Sequence, residues 1–194
     1  PTKVLYGRLP DFHLSDLGRE MAVRAAETLA GRDLVHVVSS PLERARETAE
    51  PVAAVHGLEI ATDADLIEAG NVFQGRQVAV SDLRHPRSWR YLYNPFTPSW
   101  GEPYVEVAAR MRRAVAAARE AARGHEALCV SHQLPIWVAR LDAEQRRFVH
   151  DPRRRQCALA SLTSFAFDGD RLVSITYTEP AADLVARSSK GVGA

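Results

Sequence analysis

Two stretches of the chain share one construction: a short apolar run, a turn, then a basic or imidazole side chain where a helical pattern begins. The first is Leu34-Val35-His36-Val37-Val38-Ser39-Ser40-Pro41-Leu42-Glu43-Arg44-Ala45. The second is Ala127-Leu128-Cys129-Val130-Ser131-His132-Gln133-Leu134-Pro135. Runs this short and this apolar read as strands buried on both faces, the habit of parallel sheets covered by helices. In open parallel sheets, ligands bind beyond the carboxyl ends of the strands, where helix N-termini also expose free N–H groups. Arg44 and His132, one at each such end, make a pocket suited to a phosphate dianion. Both ends are expected to flank one further central strand.

The rest of the chain supports the same architecture. Ser15 caps a helix running to about Gly31, with Leu17, Met21, Ala22, Ala25 and Leu29 at helical spacing. Pro41 suits the first turn of the next helix, which Gly57 ends. Residues 58–61 form a second strand. Residues 63–102 are irregular and rich in proline and aromatics, the composition of a lid or binding loop, with a brief helix around 81–92. Pro103 opens a long helix to about Arg123 whose core face carries Val107, Met111, Ala114, Val115 and Ala118. Residues 127–130 form a strand and 134–141 a helix. Segments 159–167 and 171–177, joined by Asp168-Gly169-Asp170, form a hairpin, and the Ser/Gly-rich residues 187–194 a tail. Residues 1–194 therefore read as a single α/β domain, a three-layer α/β/α arrangement with a mostly parallel central sheet and a hairpin at one edge.

Charge narrows the partners. Lys+Arg 25 against Asp+Glu 24 gives +1, without the basic excess of a nucleic-acid or anionic-membrane protein. The one local excess, Arg146, Arg147, Arg153, Arg154 and Arg155, is either solvated surface or a substrate contact. No window reaches the ~18 apolar residues of a membrane helix. Cys129 and Cys157 lack Cys or His companions at metal-ligand spacing, so they read as reduced, buried thiols of a cytoplasmic protein with no metal site.

Three side chains carry candidate chemistry. Arg44 sits in the first turn of its helix, from which a guanidinium can grip phosphate oxygens bidentately; its plain alternative is a surface ion pair with Glu43 or Glu47. His132 follows a buried strand, where an imidazole can donate to an oxyanion and nearby negative charge favours its protonated form; it can equally be structural. Glu68 lies in Leu66-Ile67-Glu68-Ala69-Gly70-Asn71-Val72-Phe73-Gln74-Gly75, where partial desolvation raises a carboxyl toward general-acid duty; pairing with Arg76 is the other reading.

These three segments, in this order, resemble the histidine phosphatase superfamily, with its phosphoglycerate mutase-like fold. Leu5-Tyr6-Gly7-Arg8-Leu9-Pro10 followed by Leu14-Ser15 and Gly18-Arg19 is similar to the family's loop and first helix after the catalytic strand, and the match spans roughly residues 4–178. The resemblance implies that Arg44 binds phosphate, Glu68 is the acid/base carboxylate and His132 the second pocket histidine. It implies substrate contacts from Tyr6, Gly7, Arg8 and Gln133, the last standing where many relatives have glycine.

The family's nucleophile is the His of an Arg-His-Gly motif. None of the seven histidines, His13, His36, His56, His85, His125, His132 and His150, sits in that motif. The expectation is an upstream strand carrying it, without which residues 1–194 are inactive. The implied activity is phosphomonoester hydrolysis through a phosphohistidine, with no cofactor and no metal. The expected partner is a small phosphorylated substrate or inorganic phosphate, and a homodimer is compatible. Mutase-type phosphoryl transfer and a non-catalytic phosphate-binding module are the alternatives. Phosphatase is preferred because glycolytic mutases carry a longer, more basic insertion. Trp89, Tyr91, Tyr93, Phe96 and Trp100 either line an apolar substrate pocket or fill the core of the lid.

Overall fold

The computed structural model describes residues 7–70, 101–151 and 154–187. Helix α1, Asp16–Leu29, starts where Ser15 accepts a hydrogen bond from the Gly18 N–H. Strand β1, Leu34–Ser39, leads into α2, Glu43–His56, which Gly57 closes at φ 64°, a left-handed conformation that glycine adopts at little steric cost. Strand β2, Ile60–Thr62, is followed by a single 3₁₀ turn, Ala64–Leu66. Helix α3, Tyr104–Ala121, precedes β3, Glu126–Val130, and α4, Gln133–Ala143. The hairpin β4, Leu162–Asp168, and β5, Arg171–Thr178, ends in α5, Ala182–Arg187.

The three parallel strands lie in the order β2-β1-β3, with helices on both faces. Strand alternation explains the two cores. Val37 points into a cluster with Ala49 and Ala53 of α2, joined by Leu128. Its neighbour Val38 points the other way, into Leu66, Val107, Met111, Ala114 and Val138, joined by Cys129. Met21 of α1 packs on Ala181 and Leu184, which is what holds the short α5 in place. The mixed α/β architecture is as expected, and element boundaries agree to within about three residues.

Three expectations change. β1 and β3 do not flank a third strand: they pair directly, Val37 against Leu128 and Ser39 against Val130. Two strand ends meet across one inter-strand spacing of ~4.8 Å, so direct pairing converges them without an intermediary. Pro41 does not open α2 from within; it stands two residues before Glu43, and Leu42 takes the cap position. Residues 182–187, placed beyond the last expected strand without a helix, form α5.

The lid aromatics Trp89, Tyr91, Tyr93, Phe96 and Trp100, the helix around 81–92, and the tail from residue 188 lie outside the described residues.

Candidate active site

β1 and β3 end side by side, and the ladder continues one step further because the Ser40 N–H donates to the Val130 carbonyl at 2.9 Å. Ser40 is fully buried, and its Oγ lies 2.8 Å from His132 Nε2. His132 occupies the cap position of α4, without a side-chain hydrogen bond to its first turn. Burial, then the charges of Arg44, Arg110 and Arg8, push its imidazole down to about 3. The ring is therefore neutral at ordinary pH in this structure. The sequence reading made the protonated form conditional on nearby negative charge; the charges acting on His132 here are those of arginines, so that condition is met only when an anion enters.

Arg44 reaches back across the strand end and donates from Nη2 to the Gly7 carbonyl at 2.6 Å. It does not form the surface pair with Glu47. That carboxylate instead holds the loop before α1, accepting from the Leu14 N–H at 2.7 Å and pairing with His13 and Arg19. The next residue, Arg8, donates from Nε to the Glu68 carbonyl at 2.6 Å. One short segment thus links the Arg44 guanidinium to the Glu68 backbone.

Glu68 accepts at Oε1 from the Ala69 N–H, 2.7 Å away. Burial raises its carboxyl above the ordinary range, while that hydrogen bond and the charges of Arg44, Arg110 and Arg155 oppose the rise. Its other suggested partner, Arg76, lies outside the described residues. Gly7, Arg44, Glu68, His132 and Gln133 line one cavity of about 1840 Å³. Tyr6 lies outside the described residues. The Gln133 side chain donates from Nε2 to the Cys157 carbonyl at 2.7 Å, while the substrate contact the resemblance implies is through its backbone N–H.

Sequence reasoning passed over Glu102 and Arg110. Glu102 accepts from Arg110 Nε at 2.9 Å and from Arg8 Nη2 at 2.7 Å. Its backbone N–H donates to Gly70 O at 3.0 Å, and its Oε2 accepts from the Gly70 N–H at 3.3 Å. Arg110, almost wholly buried, also donates to Asp65 O. A carboxylate between two guanidiniums fixes both sides of the Glu68 loop. Only a Pro-capped helix carrying an arginine on its otherwise apolar face hinted at it.

The same cavity continues between the sheets. The edge of β3 not paired with β1, and the edge of β4 not paired with β5, carry no strand among the described residues. Ala127 and Cys129 of β3 and Thr163 and Phe165 of β4 are among the residues that line the cavity. No cluster of metal-ligating side chains occurs among the described residues, and none of their helices is long and apolar enough to cross a membrane.

Comparison with known proteins bears on this geometry. The family model described as histidine phosphatase superfamily (branch 1) matches residues 1–180. An uncharacterized protein of Mycobacterium tuberculosis is 59% identical over 184 residues, covering 94% of this chain and 91% of its own length. The glucosyl-3-phosphoglycerate phosphatase of the same organism is 40% identical over 110 residues, 55% of this chain and 49% of that protein, so this match spans about half of it. The native structure of the mycobacterial glucosyl-3-phosphoglycerate phosphatase superposes with a TM-score of 0.64 at 30% identity, covering 75% of this chain and 74% of that one. A Bacillus stearothermophilus structure, YhfR, shares the fold with a TM-score of 0.74 at 22% identity, covering 88% of this chain and 86% of that one.

Proposed function

Since the chain belongs to the histidine phosphatase superfamily, we propose that it hydrolyses small phosphomonoesters through a phosphohistidine intermediate. The observation that carries this reading is the convergence on one cavity of Arg44, a neutral His132 and a carboxyl raised by burial, Glu68. Arg44 and His132 hold the equatorial oxygens of the phosphoryl group, where charge accumulates as the nucleophile attacks in line. Arg8, tied to the Glu68 loop, adds positive charge that acts on His132. Glu68, protonated, gives its proton to the leaving oxygen. As carboxylate, it then takes a proton from the water that releases phosphate. The raised carboxyl suits both halves, because a general acid works best with a pKa near the operating pH.

The attacking imidazole in this reading belongs to an Arg-His-Gly segment outside residues 1–194, seated as a strand between β3 and β4. Apart from His132, the histidines among the described residues are held elsewhere: His56 by Leu29 O, His125 by Asp33, His13 by Glu47 and His150 by Phe148 O, with His36 inside β1. Strand edges on one cavity that have no partner strand among the described residues are what an extended segment pairs with. Mutase-type transfer draws on the same residues and differs only in the acceptor. A non-catalytic phosphate-binding module is the reading if no such histidine exists.

The test uses the protein expressed from its natural reading frame. Brief exposure to a labelled phosphomonoester followed by a quench traps one acid-labile phosphoryl group per chain, and vanadate inhibits competitively in the parent but not in Arg44→Ala. An enzyme with no acid-labile phosphoprotein, or vanadate inhibition unchanged in Arg44→Ala, overturns the mechanism. A natural frame with no Arg-His-Gly replaces it with the binding-module reading.

A further inference from the structure

Residues 67–70, which carry Glu68, belong to no helix and to no strand. Backbone polar groups outside a ladder need other partners, and here they find them on one carboxylate. The Glu68 carbonyl accepts from Arg8 Nε at 2.6 Å, and the Gly70 N–H donates to Glu102 Oε2 at 3.3 Å. A few residues earlier, the Asp65 carbonyl accepts from Arg110 Nη1. Both arginines end on Glu102: Arg8 Nη2 at 2.7 Å and Arg110 Nη2 at 3.2 Å on Oε2, and Arg110 Nε at 2.9 Å on Oε1.

Apolar packing already holds the loop in place, since Leu66 and Ala69 lie in the core cluster with Val107 and Met111. Such contacts have no direction. The guanidinium has a rigid fork, and what it grips cannot rotate freely. Arg8 grips the Glu68 C=O, which shares one planar peptide unit with the Ala69 N–H. That N–H donates to Glu68 Oε1 at 2.7 Å. Fixing the carbonyl therefore fixes the donor that holds the carboxyl. With Oε1 accepting there, the transferable proton of the acid form belongs to Oε2.

We propose that Glu102 is a positioning residue for the proton transfer: through Arg8 it fixes the peptide plane between Glu68 and Ala69, and that plane orients the Glu68 carboxyl. This rests on the phosphatase reading above, with Glu68 as its acid. Arg110 is the second anchor, tying the same carboxylate to the Asp65 backbone.

The experiment measures kcat for butyl phosphate and 4-nitrophenyl phosphate on one preparation of the protein from its natural reading frame. The alkyl leaving oxygen needs a proton and the aryl one needs it much less. Their ratio does not depend on how much of the preparation is folded, so lost stability alone leaves it unmoved. In Glu102→Gln a single amide oxygen faces the four donors of Arg8, Arg110 and Gly70, and the Arg8 tether slackens. The butyl-to-aryl ratio is expected to fall about tenfold, the scale of a slightly misplaced catalytic group, with KM for each ester within about twofold of the parent. Glu102→Gln/Arg110→Met regains stability, because the buried charge leaves with its partner, yet keeps the lowered ratio; it carries the comparison if the single variant does not fold. Arg113→Gln removes an exposed ion pair with Asp65 on the same loop and leaves the ratio unchanged. A parent ratio in Glu102→Gln or in the double variant, or an equal fall in Arg113→Gln, overturns the proposal. If Glu68→Gln lowers the ratio while Glu102→Gln does not, only the positioning role fails. A ratio unmoved by Glu68→Gln, or a parent that hydrolyses neither ester, overturns the acid assignment and the proposal together.

Discussion

His132 Nε2 lies 2.8 Å from Ser40 Oγ, and through that contact the end of β3 is locked to the end of β1. Ser40 also accepts from the Leu42 N–H at 3.4 Å, so one hydroxyl serves the α2 entry and the imidazole at once. Ser40→Ala removes the group that fixes the ring plane. The expected outcome is a loss of about 1 kcal/mol of stability in urea titrations and a roughly tenfold weaker competitive inhibition by vanadate, by the measure of a bidentate site losing one aligned donor. Unchanged inhibition would mean that the α4 N-terminus alone orients His132.

Glu68→Gln keeps the shape of the loop and cannot transfer a proton. Hydrolysis of alkyl phosphates, whose leaving oxygens need protonation, is expected to slow by ~10²-fold or more. Aryl phosphates with acidic leaving groups should lose much less. Equal losses on both classes would assign Glu68 to loop geometry.

Stability against pH carries the signature of the buried imidazole. The folded-state value of His132, about 3, lies below the ordinary 6.5, so the unfolded chain binds this proton first. Its contribution is complete above pH 6.5 and is lost as the pH falls from 6.5 toward 3, with a limiting slope of about 1.4 kcal/mol per pH unit. Glu68, whose carboxyl is raised, works in the opposite sense: its contribution is present at low pH and fades as the pH rises through its folded value. Comparing thermal unfolding of the parent with His132→Asn between pH 4 and 7 isolates the imidazole. The parent should show the steeper acid loss, and saturating phosphate should flatten it, because a bound dianion favours the imidazolium. Parallel curves would refute the buried neutral state.

Glu102 is the counter-charge of Arg110 and Arg8, and removing it strands a guanidinium that is almost fully buried. Glu102→Gln should destabilise by about 3 kcal/mol or more. Pairing it with Arg110→Met should recover much of that loss, since the uncompensated charge leaves with its partner. A double variant no more stable than Glu102→Gln alone would show that packing around Arg110, and not charge, sets the cost.

How much of this was legible beforehand follows from the range of each interaction. Val37 and Val38 declare a buried strand by composition, and Ser15 and Gly57 declare helix ends by local backbone chemistry, so the element order could be read directly. Arg44, Glu68 and His132 stand out because each sits at a strand end or a glycine-bounded turn. The Arg8–Glu102 pair joins residues 94 positions apart, and nothing local to either residue announces the other. The adjacency of β1 and β3 is a topological fact, and parallel strands give no turn signal to fix it. α5 was missed because six residues are too few to show a period; its position comes from Ala181 and Leu184 resting on Met21.

The meeting of Gly70 with Gly101 and Glu102 sets how this chain can diverge. A Cβ on Gly101 would sit 2.9 Å from the Gly70 carbonyl, and backbone and side-chain hydrogen bonds close the seam from both sides. Residues 71–100 therefore depart from and return to a single stitched point beside the Glu68 loop. With its ends already fastened by the framework, an excursion there can double in length for only about 0.6 kcal/mol of closure entropy. The framework thus fixes where any chain between Gly70 and Gly101 must leave and rejoin, at a seam held by the same Glu102 carboxylate that pairs with Arg8 and Arg110.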